Sequence, residues 1–333
     1  MRCSVALCTY NGARFLPAQL ESILGQNRRP DEMIVSDDAS TDGTWEIVRR
    51  FAEQAPFPVR VSRQEVNVGV TRNFESAIRH CDGDWIALSD QDDVWYADKL
   101  RVLESALAGD PQAGIVFTDA DVVDEDLRPL SHSLWDTADF DEKKRQQARR
   151  GSLFDVLLWR NVITGATMAF RAGVRDVVLP IPDGWVHDGW IGLIAAATGP
   201  VAMVEQPLIK YRQHTGNQIG VEKLTFSRRV DLVMRIPLSD YVRQRHLFEA
   251  VRERLVSLGV ERQQRDLLSR LERKLAHLAA RERLPGPRWR RLPTVGRELL
   301  ALNYHRYSSG WLSALKDIAQ SSAHRGESTR ANV

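Results

Sequence analysis

Between residues 1 and 118 this chain of 333 residues alternates short apolar runs with amphipathic runs of helical period, and that rhythm restricts its fold more than any other feature. The pattern predicts strands over residues 4–8, 32–36, 59–62, 85–88 and 114–118, and helices over 13–25, 44–54, 70–80 and 97–108. Successive strands separated by helices pair in parallel, because each helix returns the chain to the starting edge, so an α/β fold with a mostly parallel central sheet is expected. Ligands of such sheets bind outside the carboxyl ends of the strands.

Those ends are polar in four successive cases: Thr9-Tyr10-Asn11-Gly12, the run Asp37 to Gly43, Asn67-Val68-Gly69, and Ser89-Asp90-Gln91-Asp92-Asp93. Taken alone, each has an ordinary use as a turn or a helix cap. Together on one edge they describe a pocket. Asp37 or Asp38 can accept hydrogen bonds from a base N–H or from ribose hydroxyls, as acidic residues do in dinucleotide sites. The last cluster places three carboxylates within four residues of a buried strand end, where they repel one another unless a cation neutralises them. Hard oxygen donors of this kind suit Mg²⁺ or Mn²⁺, which takes one or two carboxylates and completes its shell with water and phosphate. The competing use is an acidic turn ahead of the helix that begins near Tyr96. Neither a GxGxxG nor a GxxxxGK[ST] loop is present, so phosphate would be held by metal and loop groups.

Further along, residues 119–150 read as exposed acidic and basic loop or short helix. Residues 151–159 read as an amphipathic helix, and 161–171 as a strand with Gly165 where backbone or ligand approaches closely. Gly184-Trp185-Val186-His187-Asp188-Gly189-Trp190 opens an apolar helix. There Trp185 and Trp190 flank His187 and Asp188 as surfaces suited to stacking on a sugar, with an N-cap role for Asp188 as the alternative. After a strand over 207–211, Arg212 offers a planar fork suited to a diphosphate. His214 is suited to phosphate or to the metal, or is an ordinary surface histidine.

The chain is acidic in front and basic behind: residues 1–221 carry 23 Lys and Arg against 32 Asp and Glu, and residues 222–333 carry 23 against 12. That split predicts a catalytic domain over 1–221, a basic helical region over 222–320 facing a polyanion such as a membrane surface or nucleic acid, and a disordered tail over 321–333. Two apolar stripes, Tyr241 to Leu258 and Leu267 to Leu278, predict a helical hairpin on the catalytic domain or a dimer contact. A basic, tryptophan-bearing loop over 285–293 and the amphipathic run after it have the makings of an interfacial membrane contact. Three cysteines without a CxxC pair, no leader segment and no long apolar span lead us to expect a cytoplasmic protein without a membrane-spanning helix of its own.

The four strand-end motifs, in this order and at these spacings, resemble those of family 2 glycosyltransferases with the GT-A fold, over roughly the first 215 residues. The resemblance implies that Thr9, Asn11 and Asp38 hold the nucleoside with Asp37 nearby, and that Asp90 and Asp92 form the DxD-type motif for diphosphate and metal. It further implies that the Thr164-Gly165 strand borders the acceptor and that Asp188 is the catalytic base of an inverting transfer. Tyr10, Asn67, Gly69 and Arg72 complete the expected nucleotide pocket, while Asp93, Trp185, His187, Trp190 and Arg212 belong to the expected diphosphate and acceptor side. Ser89 to Trp95 is worded like the bacterial rhamnosyltransferase branch, which implies dTDP-L-rhamnose as donor and a surface polysaccharide or lipid-linked oligosaccharide as acceptor. The Gln-x-x-Arg-Trp element of processive relatives is missing, so single addition is expected. A nucleotidyltransferase, or a non-catalytic module that binds nucleotide-sugar or nucleic acid, is the alternative. The first of these ordinarily wants a Gly-rich basic loop after the first strand, and no nucleic-acid partner is expected.

Overall fold

The structure, a computed structural model, describes residues 1–214, 226–260 and 264–319. The chain divides into two compact units, one from Met1–Leu153 and Asn161–Lys223, the other from Phe154–Arg160 and Leu224–Val333. The mid-chain piece 154–160 therefore belongs to the C-terminal unit, which the division expected at 221 does not foresee. The expected loop positions beyond His214 and the tail after residue 320 lie outside the described residues.

In the first unit the strands are β1 (Cys3–Thr9), β2 (Glu32–Asp37), β3 (Val59–Arg63), β4 (Trp85–Ser89), β5 (Val94–Trp95), β6 (Ile115–Thr118), β7 (Asp121–Val123), β8 (Pro129–Ser133), β9 (Met168–Arg171), β10 (Val201–Val204) and β11 (Ile209–Arg212). The helices are α1 (Leu16–Leu24), α2 (Thr44–Gln54), α3 (Val70–Arg79), α4 (Lys99–Gly109), α5 (Leu134–Thr137), α6 (Glu142–Gln147), α7 (Leu153–Trp159, passing into the second unit), α8 (Ala172–Val178) and α9 (His187–Thr198). A seven-stranded sheet runs β10-β6-β9-β4-β1-β2-β3. Its neighbours are parallel except β9, which is antiparallel to both β4 and β6.

The sheet is apolar on both faces, which is why its central strands read as unbroken apolar runs. On one side Val5, Leu7 and Val35 share a cluster with Leu16 and Leu20 of α1, Val48 and Phe51 of α2, and Leu103 and Leu107 of α4. Ala6 and Ile34 alternate to the other face, where α3 packs on β1 and β2 with Phe74, Ala77 and Ile78 buried. Burial of each large aliphatic side chain here contributes about 1.5–3 kcal/mol.

Three local expectations change. The strand expected over 161–171 forms only from Met168, after a single 3₁₀ turn at Gly165–Thr167. The helix expected from 151 begins at Leu153, because Gly151 sits at φ +81° and breaks the turn before it. Part of the presumed loop 119–150 is ordered as β7 and β8, which join β5 and β11 in a second sheet, β5-β11-β7-β8.

The second unit adds α10 (Phe226–Arg235), α11 (Leu238–Ser257), α12 (Arg265–Glu282), a 3₁₀ turn (Arg288–Arg291), α13 (Leu292–Leu300), α14 (Asn303–Tyr307) and α15 (Trp311–Ala319). α11 packs along α12 as the two stripes predict, burying Val251, Leu255, Leu271 and Leu278. Leu258, expected to extend the first stripe, is exposed past the end of α11. A small apolar cluster of Leu284, Val295, Tyr304 and Ala314 ties the last helices together. Among the described residues no helix is long and apolar enough to cross a membrane.

Candidate active site

The loops after β1 and β2 are held by their own polar groups. Asp37, fully buried, accepts from Thr9 Oγ1 at 2.8 Å, from Ser40 Oγ at 2.6 Å and from the Ser40 amide at 3.0 Å. Asn11 takes a left-handed backbone, φ +46°, which asparagine tolerates, and its Oδ1 accepts from the Thr41 amide at 2.8 Å. Asp38 accepts from the amides of Val68 at 2.7 Å and Gly69 at 2.9 Å, so its carboxylate holds the Asn67 loop to the end of β2. Gly69, at φ +85°, needs its glycine. Asp37 and Asp38, expected to face the nucleoside, thus work within the chain: each ties together loops at the carboxyl edge of the sheet. Tyr10 and Asn67 are exposed beside them.

Arg72 departs from expectation. Its guanidinium turns to Glu75 at 2.7 Å, to Asp183 at 2.5 Å and to the Ile181 carbonyl at 2.9 Å, joining α3 to the segment before α9. Thr71 makes a parallel tie, donating to the Trp185 carbonyl at 3.1 Å.

At the end of β4, Gln91 clamps the neighbouring loop by accepting from the Tyr10 amide at 2.8 Å and donating to the Tyr10 carbonyl at 2.9 Å. Its side chain fills the space over Gly12, where a methyl group would stand 2.1 Å from Gln91 Oε1. Asp90 and Asp92 are partly accessible and Asp93 is buried. Burial, Asp92 and Asp188 all raise the proton affinity of Asp90. His214 Nε2 lies 2.8 Å from Asp92 Oδ2, and its ring packs 4.6 Å from Phe15. Asp93, expected on the diphosphate side, instead accepts from the Arg212 amide at 3.1 Å. The Arg212 side chain is also occupied: it donates to the carbonyls of Asp92 at 2.7 Å and Glu125 at 2.5 Å while stacking over Phe15. It is a buried brace for the acidic loop, not an open phosphate fork.

Asp188 lies in the first turn of α9, whose N-cap is Val186, so Asp188 is not the cap. Asn161 Nδ2 donates to its Oδ1 at 3.1 Å, the Gly189 amide to the same oxygen at 2.5 Å, and the Gly165 amide to Oδ2 at 3.4 Å. Burial outweighs these bonds and lifts the carboxyl from 3.8 to about 6. Gly165 is fixed by His187: a methyl at this position would stand 2.5 Å from His187 Nε2. The close approach foreseen at Gly165 is therefore that of the His187 ring, which stacks on Phe74 and is buried and neutral, its pKa lowered by burial to about 3. His187 belongs to the floor. Trp190 is corrected likewise, being fully buried with Nε1 donating to the Val178 carbonyl at 2.6 Å. Trp185 and Thr164 keep partial exposure beside Asp188.

Lys99, which the sequence reading passes over, is fully buried on α4. It donates to the Ala166 carbonyl at 2.6 Å, lies 3.9 Å from the Trp95 ring centre, and faces Asp93 and Asp90. Its signal was available: it precedes Leu103 and Leu107 by one and two helical repeats, a lysine in an apolar register. Asn161 and Gln91 gave no comparable signal, because their roles depend on loops distant in sequence.

Among the described residues, no three or more His, Cys, Asp or Glu side chains form a protein-only metal cage. Asp90 and Asp92 are the donors a Mg²⁺ or Mn²⁺ ion would take when phosphate and water supply the rest of its shell. Burial first, and then repulsion from Asp92, raise Asp90, and such a cation would offset both.

Fold and site together define a GT-A type transferase domain. Residues 4–177 match glycosyl transferase family 2, over half of the chain, and the chain belongs to that enzyme family. It is 31% identical over 232 residues to an uncharacterized glycosyltransferase of Nostoc sp., covering 65% of this chain and 66% of that one. It is 27% identical over 223 residues to the dTDP-rhamnosyl transferase RfbG of Shigella flexneri, covering 64% and 73%. The chain thus spans just under two thirds of the length of the Nostoc protein. Among solved structures, S. aureus TarS 1-349 in complex with UDP-GlcNAc is similar in fold, with a TM-score of 0.55, 16% identity, and coverage of 95% of this chain and 90% of that one.

Proposed function

We propose that this chain is a metal-dependent, inverting, non-processive glycosyltransferase. Its donor is a nucleotide-diphospho-sugar, with dTDP-L-rhamnose favoured. Its acceptor is a hydroxyl of a growing surface polysaccharide or lipid-linked oligosaccharide on the cytoplasmic side of the membrane. The observation that carries this reading is Asp188: a carboxylate lifted to about 6, oriented by Asn161 and Gly165, and near enough to Asp90 to raise its proton affinity.

A base with that pKa is largely ionised at neutral pH yet still basic enough to take a proton from a sugar hydroxyl as the hydroxyl attacks the anomeric carbon. The loops around Asn11, Asp38 and Gly69 are prearranged to border the nucleotide, so little ordering entropy is left for donor binding. Asp90 and Asp92 would hold Mg²⁺ or Mn²⁺, which would supply charge stabilisation to the departing diphosphate. Trp185 offers a face for a sugar ring. The rhamnose assignment draws support from the likeness to RfbG and from the wording of residues 89–95.

The test is a panel of nucleotide-sugars, with Mg²⁺, with Mn²⁺ and with chelator, scored for nucleoside diphosphate release. Metal-dependent consumption of dTDP-rhamnose above the other donors is expected. Consumption of no donor under any condition would overturn the reading, and preference for another sugar would overturn the rhamnose assignment alone.

A further inference from the structure

α15 is inside out. Its polar residues Lys316 and Asp317 are 0% and 1% exposed, while its apolar residues Trp311 and Leu315 are 63% and 58% exposed. Asp317 fixes this orientation. It accepts from Arg281 Nε at 2.7 Å and from the hydroxyl of Tyr304 at 2.7 Å, in an ion pair whose side chains are 5% and 0% exposed. Lys316 Nζ donates to the hydroxyl of Tyr241 beside it. Turning α15 to hide Trp311 would break a buried pair and strand its charges, at greater cost than exposing two apolar side chains.

The adjoining elements expose apolar groups as well. The 3₁₀ turn, α13, α14 and α15 pack against one another, and Trp289 and Leu300 protrude from them into solvent. Leu302 holds a left-handed backbone at φ +59° just past α13, where glycine is the usual residue, and its side chain is half exposed. A leucine kept there at conformational cost indicates a use for the side chain.

Within the segment 283–319 the exposed charge has one sign. Between residues 283 and 319 the only acidic side chains are Glu298 and Asp317, and both are buried, Glu298 hydrogen-bonded to His277 and Asn303 and Asp317 ion-paired with Arg281. The exposed charges are arginines, Arg288, Arg290 and Arg306 among them. Two copies of such a face would repel each other, which disfavours a symmetric dimer. An anionic bilayer offers both complements, apolar depth for tryptophan and leucine and negative headgroups for arginine.

We infer that the C-terminal unit docks on an anionic membrane surface through α15 and the basic turn before α13, with Trp311 and Leu315 entering the interface. This does not depend on the sugar-transfer reading, since none of these residues belongs to the candidate active site.

The experiment is co-sedimentation of the full chain with phosphatidylcholine–phosphatidylglycerol vesicles and with phosphatidylcholine vesicles, for the parent and for a Trp311→Ser/Leu315→Ser double variant. Both positions are exposed, so the melting temperature of the variant should match that of the parent. The parent should bind the anionic vesicles, more weakly as salt rises, and the double variant should bind them at least about tenfold more weakly. Failure of the parent to bind anionic vesicles, or equal binding by the variant, would overturn the proposal. So would a parent dimer in solution that the variant dissociates, which would make the face an interface between copies.

Discussion

Asn161 Nδ2 donates to Asp188 Oδ1 at 3.1 Å, from a loop 27 residues earlier in the chain. With the Gly165 amide on the opposite oxygen, this bond fixes the carboxylate before any acceptor arrives. If Asp188 is the base, as proposed, a carboxylate held in this way loses less entropy in the transition state than one on a mobile loop.

Asp188→Asn preserves shape but removes the proposed base. We expect kcat to fall by about 10² to 10⁴ while donor affinity stays near that of the parent. In the parent, the acid limb of kcat/KM should follow a group near pH 6, and the variant should lose that limb. Stability should move the other way. The Asp188 pKa is raised from 3.8 to about 6, so the folded chain holds this proton more tightly than the unfolded chain does. The contribution of this carboxyl is therefore most favourable below its unfolded pKa and declines as pH rises through that window. The variant should melt above the parent at neutral pH and lose that margin in acid. An active variant with an unchanged profile would remove Asp188 from the chemistry.

Asp92→Ala removes one of the two proposed metal donors and leaves His214 without the carboxylate it faces. Turnover should be lost and the fold kept, because Asp92 is a partly exposed loop residue outside the core. Undiminished turnover in chelator, or parental rates from the variant, would refute the metal reading.

Asp38→Ala should act through the loop it holds. Two backbone amides lose a charged acceptor, each bond being worth about 1.5–3 kcal/mol. Amide exchange at Val68 and Gly69 should accelerate, and calorimetry should show weaker binding of the free nucleoside diphosphate with no change in the pH profile. Slow exchange with full affinity would leave Asp38 without either role.

Lys99→Met should destabilise the first unit by about 1–3 kcal/mol, since it strands the Ala166 carbonyl and removes the buried amine that faces Asp93 and Asp90. Adding Asp93→Asn should restore part of that loss. Denaturant unfolding of both single variants and of the double variant measures the coupling, and strict additivity would show that Lys99 and Asp93 do not interact.

Much of this fold is written locally. β1 to β4 and the helices between them follow from apolar periodicity, because a sheet covered on both faces leaves little choice of residue. What pairs at long range was not legible. β9 enters between β4 and β6 from some eighty residues away in sequence (Ile86 opposite Phe170), and no periodicity records that insertion. The candidate site divides in the same way. Asp90, Asp92 and Asp188 stand out as polar groups at apolar ends. Trp190, Arg212 and Arg72 carry binding chemistry in their side chains, yet the fold spends that chemistry on carbonyls and carboxylates inside the chain.

The second sheet has a consequence for how the protein matures. Arg212 on β11 reaches the Asp92 carbonyl across 120 residues of sequence, and its amide binds Asp93. While the chain emerges from its N-terminus, the proposed nucleotide loops on β1 to β3 can close early, but the acidic loop lacks its Arg212 brace until β11 is made. On the proposed function, donor recognition and catalytic competence should therefore be acquired at separate moments of synthesis, so that a nascent chain short of residue 212 has its proposed nucleotide loops but a carboxylate cluster without the Arg212 brace.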